Sequence, residues 1–461
     1  MYIQFRRLAI LAVAVLCFVS AHATTYYLSP TGNDSNNGLS ANYPWASPNH
    51  SLNCGDVILA ASGQYNNANF YTGKWGAVNC PAGNSVAWLK CATFDTCKIN
   101  AANNQGMWVD ANYWGVQGWE VTANPNNTYG TCFMAAPRWT DKKTVHHIIF
   151  ANNVANGCSQ GGFESTNFGT AAVDYFNVLG NVAYNASSGS ATCSSGISVY
   201  QPQMSDTAAG THIYIAGNFS YGNLDPKQCN GTSPTDGEGI ILDTFDGSQG
   251  GVPSYTAQAV AYNNMTIGNG GVGIEVYNNQ TGTSHANILI NQNTIWGNHT
   301  DPNQSWYGCG EISVSSAKNV HTNGNLVSTQ SATGCNGHPI YALSTSAGDT
   351  SDSFDNNVAY GYSGNNTFTY ASGSFKYNSD NQLGTSPAFR GAWLPGAPSC
   401  SGQTNVPYCM SGLVYNFQAT ASGASTKGYQ WPLGSSVADP LFPKWLCTAN
   451  VPSGLITMGC S

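Results

Sequence analysis

Seven segments of this 461-residue chain align without a gap on one asparagine: HIIFANNVANG, YFNVLGNVAYN, HIYIAGNFSYG, QAVAYNNMTIG, NILINQNTIWG, NVHTNGNLVST and SDSFDNNVAYG. The shared residues are Asn153, Asn181, Asn218, Asn264, Asn293, Asn325 and Asn357. Positions five before, three before and one after the asparagine are apolar in six of seven segments, and glycine stands four after it in five of seven, so the pattern is structural. Apolar alternation of period two that breaks at the asparagine describes a strand, a sharp bend and a second strand. Asparagine suits the bend because it tolerates the left-handed conformation and bonds to nearby backbone. Its recurrence predicts a stacked ladder of amides. Each unit resumes after a variable insert with another short strand: GGFES, GISVY, GIILD, GIEVY, GEISV or HPIYAL. The asparagines are 28, 37, 46, 29, 32 and 32 residues apart, and no helical periodicity intervenes. Such a repeat predicts a parallel β-solenoid. A propeller or sandwich, the competing architecture, would need hairpins, and N-G or D-G turns are not the dominant connector.

Composition narrows the function. Only 8% of residues are charged, with 14 Lys+Arg against 22 Asp+Glu, where roughly 25% is usual. Nucleic acid is excluded as a partner because phosphate binding needs clustered cations. Residues 1–23 read as a signal peptide: Arg6 and Arg7, an apolar run from Leu8 to Val19, then Ala21-His22-Ala23 with cleavage after Ala23. No later apolar run reaches the ~20 residues of a membrane span. The expected location is therefore secreted or periplasmic. Loss of Cys17 with the leader leaves an even number of the 15 cysteines, which implies disulfides. Cys54 and Cys80, Cys132 and Cys158, and Cys309 and Cys335 share a separation of 26 residues, suggesting three bonds, while the lack of C-x-x-C spacing disfavours zinc.

The opening YYLSPTGNDSNNG…YPWAS…CGDVILAASGQY, residues 26–65, resembles the leader of exported bacterial right-handed parallel β-helix proteins. The asparagine-anchored units over 86–364 resemble coils of the pectate-lyase-like superfamily. The resemblance implies an all-β chain: a single-stranded right-handed parallel β-helix with a disulfide-stapled C-terminal cap. Its expected divisions are a signal peptide (1–23), a leader and capping coil (24–85), the β-helix (86–385) and the cap (386–461). The cap holds Cys400, Cys409, Cys447 and Cys460 and would cover the open sheet edge of the last coil. A small carbohydrate-binding appendage is the alternative reading of that segment. Because the superfamily includes lyases, hydrolases, epimerases, phage spikes and adhesins, the fold leaves the activity open.

Insertions mark the face that acts. The two longest intervals span Asn181 to Asn264, and there gather Asp206, Asp225, Asp236, Glu238, Asp243 and Asp246, with Glu275 on the next coil. Aligned second strands place Ile197/Val199, Ile240/Leu242, Ile274/Val276 and Ile312/Val314 inward. Ser198/Tyr200, Ile241/Asp243, Glu275/Tyr277 and Ser313/Ser315 then face outward. Asp243 and Glu275 become diagonal neighbours, with Tyr200 and Tyr277 above and below Asp243. Carboxylates between aromatic rings suit a sugar, because rings stack on its apolar face and carboxylates bind calcium or move protons. Solvated turn carboxylates are the plain alternative.

SPTDGEGIILDTFD (233–246) resembles the calcium-binding stretch of one pectate lyase family. The resemblance implies Asp236, Glu238 and Asp243 as Ca2+ ligands, with Asp246 closing the same stretch. It also implies a proton-abstracting lysine, for which Lys227 is the nearest candidate, and Ile241 stands where that family expects an acid. The expected function is therefore a monomeric polysaccharide-active protein using calcium-assisted β-elimination. A hydrolase with Asp243 and Glu275 as its acid–base pair, and a non-catalytic adhesion or glycan-binding solenoid, are the alternatives. GNGGVG (268–273) is followed by a strand, so it is no dinucleotide loop. GCSQG (157–161) is a bend, not a nucleophile elbow. His147 and His212 share a column with Tyr175 between them and read as hydrogen-bonding surface residues rather than a metal pair.

Overall fold

The computed structural model describes residues 23–81, 83, 85–101, 105–123, 130–189, 193–226, 236–278, 287–301, 310–331, 337–343, 351–366, 369–372, 376–377, 380–430 and 441–452. Residues 1–22, Lys227, Cys309 and Cys335 lie outside them.

Three long parallel sheets run side by side along the molecule, with 12, 11 and 9 strands. From Ala87–Cys91 onward each turn of the chain adds one strand to each sheet in strict order, the parallel solenoid that the repeat predicts and the right-handed parallel β-helix that the resemblance implies. The first sheet takes the strand before each asparagine, such as Val173–Leu179, Thr211–Ala216 and Gln258–Tyr262. The second takes the strand after it, such as Val182–Tyr184, Phe219–Tyr221 and Met265–Ile267. The third takes the resumed strands Phe163–Ser165, Ile197–Tyr200, Ile240–Asp243, Ile274–Tyr277 and Ile312–Ser315. Thr25–Leu28 and Val57–Ala60 already belong to the first sheet, so coiling begins within the leader. Inside, Phe150, Phe176, Ile215, Val199, Leu242, Val276 and Val314 form one continuous core with no exposed surface.

The amide ladder is present and complete. The backbone N–H and Nδ2 of Asn153 both donate to Asn181 Oδ1, and the pattern repeats through Asn218, Asn264, Asn293, Asn325 and Asn357. Each Nδ2 also donates to a carbonyl of the preceding coil, as Asn218 does to Val178 at 2.8 Å. From Asn181 to Asn357 every amide hydrogen and both acceptor sites of these buried side chains are thereby used. An eighth member, Asn381, accepts from Asn357. It escapes the sequence alignment because Lys376 and Asn378 occupy its apolar columns.

The left-handed residue is not the ladder asparagine but its predecessor. Asn152, Gly180, Gly217, Asn263, Gln292, Gly324 and Asn356 have φ between 54° and 68°. The turn thus puts the αL strain one residue early and frees the asparagine to bond along the stack. A second ladder, unread in the sequence, runs through Asn223, Asn269 and Asn298, each five residues after a ladder member. It ends on Glu311, whose carboxylate accepts from the backbone and Nδ2 of Asn298.

Disulfides join Cys54 to Cys80, Cys91 to Cys97, Cys132 to Cys158 and Cys400 to Cys409. The disulfide-stapled C-terminal segment closes a flank of the solenoid and is not confined to its end. Val406, Met410, Leu413, Val414 and Phe417 pack on Val154, Val182, Phe219 and Met265 of the second sheet. Phe442 and Leu446 pack on Trp88, Ile149, Tyr214 and Val260 of the first. The outer faces of those two sheets are apolar enough to need cover. No described helix is long and apolar enough to cross a membrane.

Candidate active site

The outer face of the third sheet mixes aromatic, acidic and hydroxyl side chains. Register pairs Tyr200 with Asp243, Asp243 with Tyr277 and Tyr277 with Ser315 in one column. In the adjoining column stand Trp108, Met134, Glu164, Ser198, Ile241, Glu275 and Ser313. Asp243 and Glu275 are therefore diagonal neighbours, one strand and two residues apart. Strand spacing and rise put their Cα atoms about 8 Å from each other, and both side chains leave the same face.

These carboxylates are not solvated. Glu275 is 3% exposed and Glu238 is fully buried, while Asp243 keeps part of its surface accessible. Burial and the charges of Asp236 and Asp246 raise Asp243 to about 7, against a hydrogen bond donated by Thr244 Oγ1 at 2.5 Å. Burial, followed by the charges of Asp236 and Asp243, raises Glu275 to about 8. Ser313 and Ser315 each donate to Glu275 Oε1 at 3.3 Å and offset part of that rise. Glu238, which accepts from Ser195 at 2.6 Å, lies well above the carboxylate range through burial and then the charges of Asp236 and Glu275. Its approach depends on Gly237 at φ +95°, where a Cβ would come within 2.8 Å of the Asp225 backbone nitrogen. Tyr200, raised to about 12 by burial and then by Asp243, donates to Gln249 Oε1 on the inserted loop at 2.8 Å.

Asp236, Glu238, Asp243 and Glu275 thus form one electrostatic group, with Asp246 beside Asp243. Glu164 joins them: it is half-buried, accepts from Thr131 Oγ1 at 2.7 Å, and is raised by desolvation and then by Asp236. Following the Ser198 column one coil back to GGFES would have found it. Asp225 is buried in the turn leading into the third sheet. Asp206 sits apart, accepting from Tyr175 at the first sheet. Among the described residues, no three His, Cys, Asp or Glu side chains converge where a metal ion could be held.

A cleft of about 590 Å³ lies between the first sheet and the C-terminal segment, lined by Tyr113, His147, Tyr175, Asp206, His212 and Trp445 among others. His147 and His212 are buried, not at the surface as their sequence suggests. They sandwich Tyr175, with ring centroids 4.1 and 3.7 Å away. Tyr113, His147 and Tyr175 reach this stack through left-handed backbone, φ 63°, 58° and 46°. Asp174, buried at its base, accepts from His212 Nδ1 at 3.0 Å and Tyr255 Oη at 2.6 Å. Burial alone would raise Asp174, but the bonds and charge of His212, with the donors Ser205 and Tyr255, hold it below its ordinary value. The ring faces are turned to one another, which makes this column packing rather than a stacking surface for a ligand.

No protein-family model matches the chain, and no curated protein matches it. Among solved structures it is similar to pectate lyase Pel9A at 16% identity, covering 94% of this chain and 96% of that one with a TM-score of 0.45. It is similar to the A-module of the Azotobacter vinelandii mannuronan C-5 epimerase AlgE4 at 15% identity, 70% and 90% coverage and a TM-score of 0.35. A rhamnogalacturonan lyase gives 14%, 80%, 90% and 0.34. The chain is a parallel β-helix protein, as its own three sheets and two amide ladders establish.

Proposed function

We propose that the protein is a secreted polysaccharide-cleaving enzyme whose acid–base pair is Glu275 and Asp243. The supporting observation is their placement: two carboxylates on adjacent coils of one face, raised to about 8 and about 7, with Tyr200 and Tyr277 beside them. Near neutral pH Glu275 mostly retains its proton while about half of Asp243 is ionised, and this difference divides the roles. Glu275 donates its proton to the glycosidic oxygen as the bond to the anomeric carbon breaks. Asp243 takes a proton from the water that attacks that carbon from the opposite side. The products are two sugar ends, a Glu275 carboxylate and an Asp243 carboxylic acid, and solvent exchange restores both. The mechanism assigned is the single-displacement one, in which water, rather than the Asp243 carboxylate itself, attacks the anomeric carbon.

A neutral glycan fits this face better than a polyuronate. Among the described residues, the outward positions Ser198, Tyr200, Ile241, Asp243, Glu275, Tyr277, Ser313 and Ser315 offer an anionic chain no Lys or Arg to bind it. β-Elimination with Lys227 as base and calcium as bridge remains the second reading, resting on the resemblance of 233–246; its lysine lies outside the described residues. Incubation with neutral and uronate glycans decides between them. New reducing ends of inverted anomeric configuration, without absorbance near 235 nm, support hydrolysis. Unsaturated products overturn it.

A further inference from the structure

The face that holds Asp243 continues toward the N-terminal coils, and its chemistry changes there from acidic to aromatic. Trp108 and Met134 occupy the same outward column as Glu164. Phe168 stands 5.3 Å from Trp108, and Trp139 stands 4.0 Å from Phe168 and 6.0 Å from Trp108, with Tyr71 completing the group. Trp108 is 1% exposed and Trp139 is 59% exposed. An indole so exposed on so rigid a base is a preorganised surface, since the rings beneath it are fixed and Trp108 Nε1 is held by the Ala136 carbonyl.

The aromatic group is tied to the acidic site by the loops that distinguish these coils. The 244–257 insertion starts at Asp243, meets Tyr200 through Gln249, and passes close to the Gly169 carbonyl at Gly251. Asn167 Nδ2 donates to Gln201 Oε1 at 2.8 Å, linking the Phe168 loop to the residue after Tyr200. Trp139 lies in the loop leaving Phe133–Ala135, which is three strand spacings, about 14 Å, from Ile240–Asp243. That span exceeds one sugar ring and suits several linked ones.

We propose that Trp139, backed by Phe168 and Trp108, is a remote subsite on which a sugar of the same polysaccharide chain stacks while a bond several units away is cleaved at Asp243 and Glu275. The inference rests on the reading of those two residues and adds a substrate class: a polymer, gripped well away from the cut. Binding energy gained there assists the reaction only for chains long enough to reach it.

The test compares wild type with Trp139→Ala and Trp139→Phe on the polymer and on a disaccharide of the same linkage. For Trp139→Ala the ratio of kcat/KM on polymer to that on disaccharide falls about tenfold, the factor one aromatic contact supplies, and Trp139→Phe restores most of it. Retardation in gels containing the polymer, measured with Asp243→Asn so that nothing is cleaved, is lost when Trp139→Ala is added. An unchanged ratio together with unchanged retardation overturns the subsite. A drop in solution mass for Trp139→Ala also overturns it, since the ring would then seat a second copy of the chain. Full activity in Asp243→Asn instead refutes the catalytic reading, and retardation in gels still tests the subsite on its own.

Discussion

Replacing Asn218 by alanine should be among the costliest single changes in the molecule. Asn218 Oδ1 accepts from the Asn181 backbone N–H at 2.9 Å and from Asn181 Nδ2 at 3.1 Å, and its own Nδ2 donates to the Val178 carbonyl and to Asn264 Oδ1. All three asparagines are fully buried. Truncation removes the acceptor of two donors on Asn181 and the donor to the Val178 carbonyl, all within a fully buried stack. At about 1–3 kcal/mol for each buried donor left unpaired, the loss is about 2–6 kcal/mol, against a total of about 5–15 kcal/mol for native proteins. Asn381, at the end of the ladder and partly exposed, supplies the control, because its Oδ1 can be replaced by solvent. Urea titration followed by circular dichroism gives the two midpoints, and amide exchange reports the Asn181 N–H directly. The expected result is a large fall for Asn218→Ala, a small one for Asn381→Ala, and loss of protection at Asn181. Equal midpoints for the two variants, with Asn181 still protected, would refute the claim that the ladder holds the coils in register.

The remaining expectations concern the site. With Asp243 at about 7 and Glu275 at about 8, kcat/KM on a neutral glycan should be bell-shaped with a maximum near about pH 7.5; a flat profile from pH 6 to 9 would remove the pair from the mechanism. Glu238 ionises in the unfolded chain near its ordinary value but stays protonated well above it when folded, so wild-type stability falls as pH rises through that window. Glu238→Gln removes this term, and its melting temperature relative to wild type should rise between pH 4 and pH 8; a constant difference would show that Glu238 is ionised in the fold. EDTA should leave both the melting temperature and the activity unchanged, and a fall in either would restore calcium to the site.

The repeat was legible because each coil repeats one local solution, apolar in, asparagine at the bend, and seven imperfect copies reinforce one another. What stayed hidden were features set by neighbouring coils. The αL residue before each asparagine alternates between Gly, Asn and Gln, so no single letter announces it. Asn223, Asn269 and Asn298 form a second ladder in only three coils, too few to stand out beside the first. The outward columns were placed correctly from inward Ile197, Ile240, Ile274 and Ile312, and with them the juxtaposition of Tyr200, Asp243, Glu275 and Tyr277. Acidic residues close in sequence did not all meet. Asp206 follows a different loop to the first sheet, and Glu164, distant in sequence, takes a place in the group. His147 and His212 were misjudged as surface residues because the C-terminal segment, hundreds of residues later, brings Trp445 against their column.

The central claim is that Asp243 and Glu275 perform the chemistry. It is tested most directly by the rate of glycan cleavage for wild type, Asp243→Asn and Glu275→Gln at pH 7.5, with the fold of each checked by circular dichroism. The account predicts that each folded variant loses about 10²–10⁴-fold in kcat, as expected for removal of a general acid or base. A folded Asp243→Asn or Glu275→Gln variant that cleaves at the wild-type rate would contradict it.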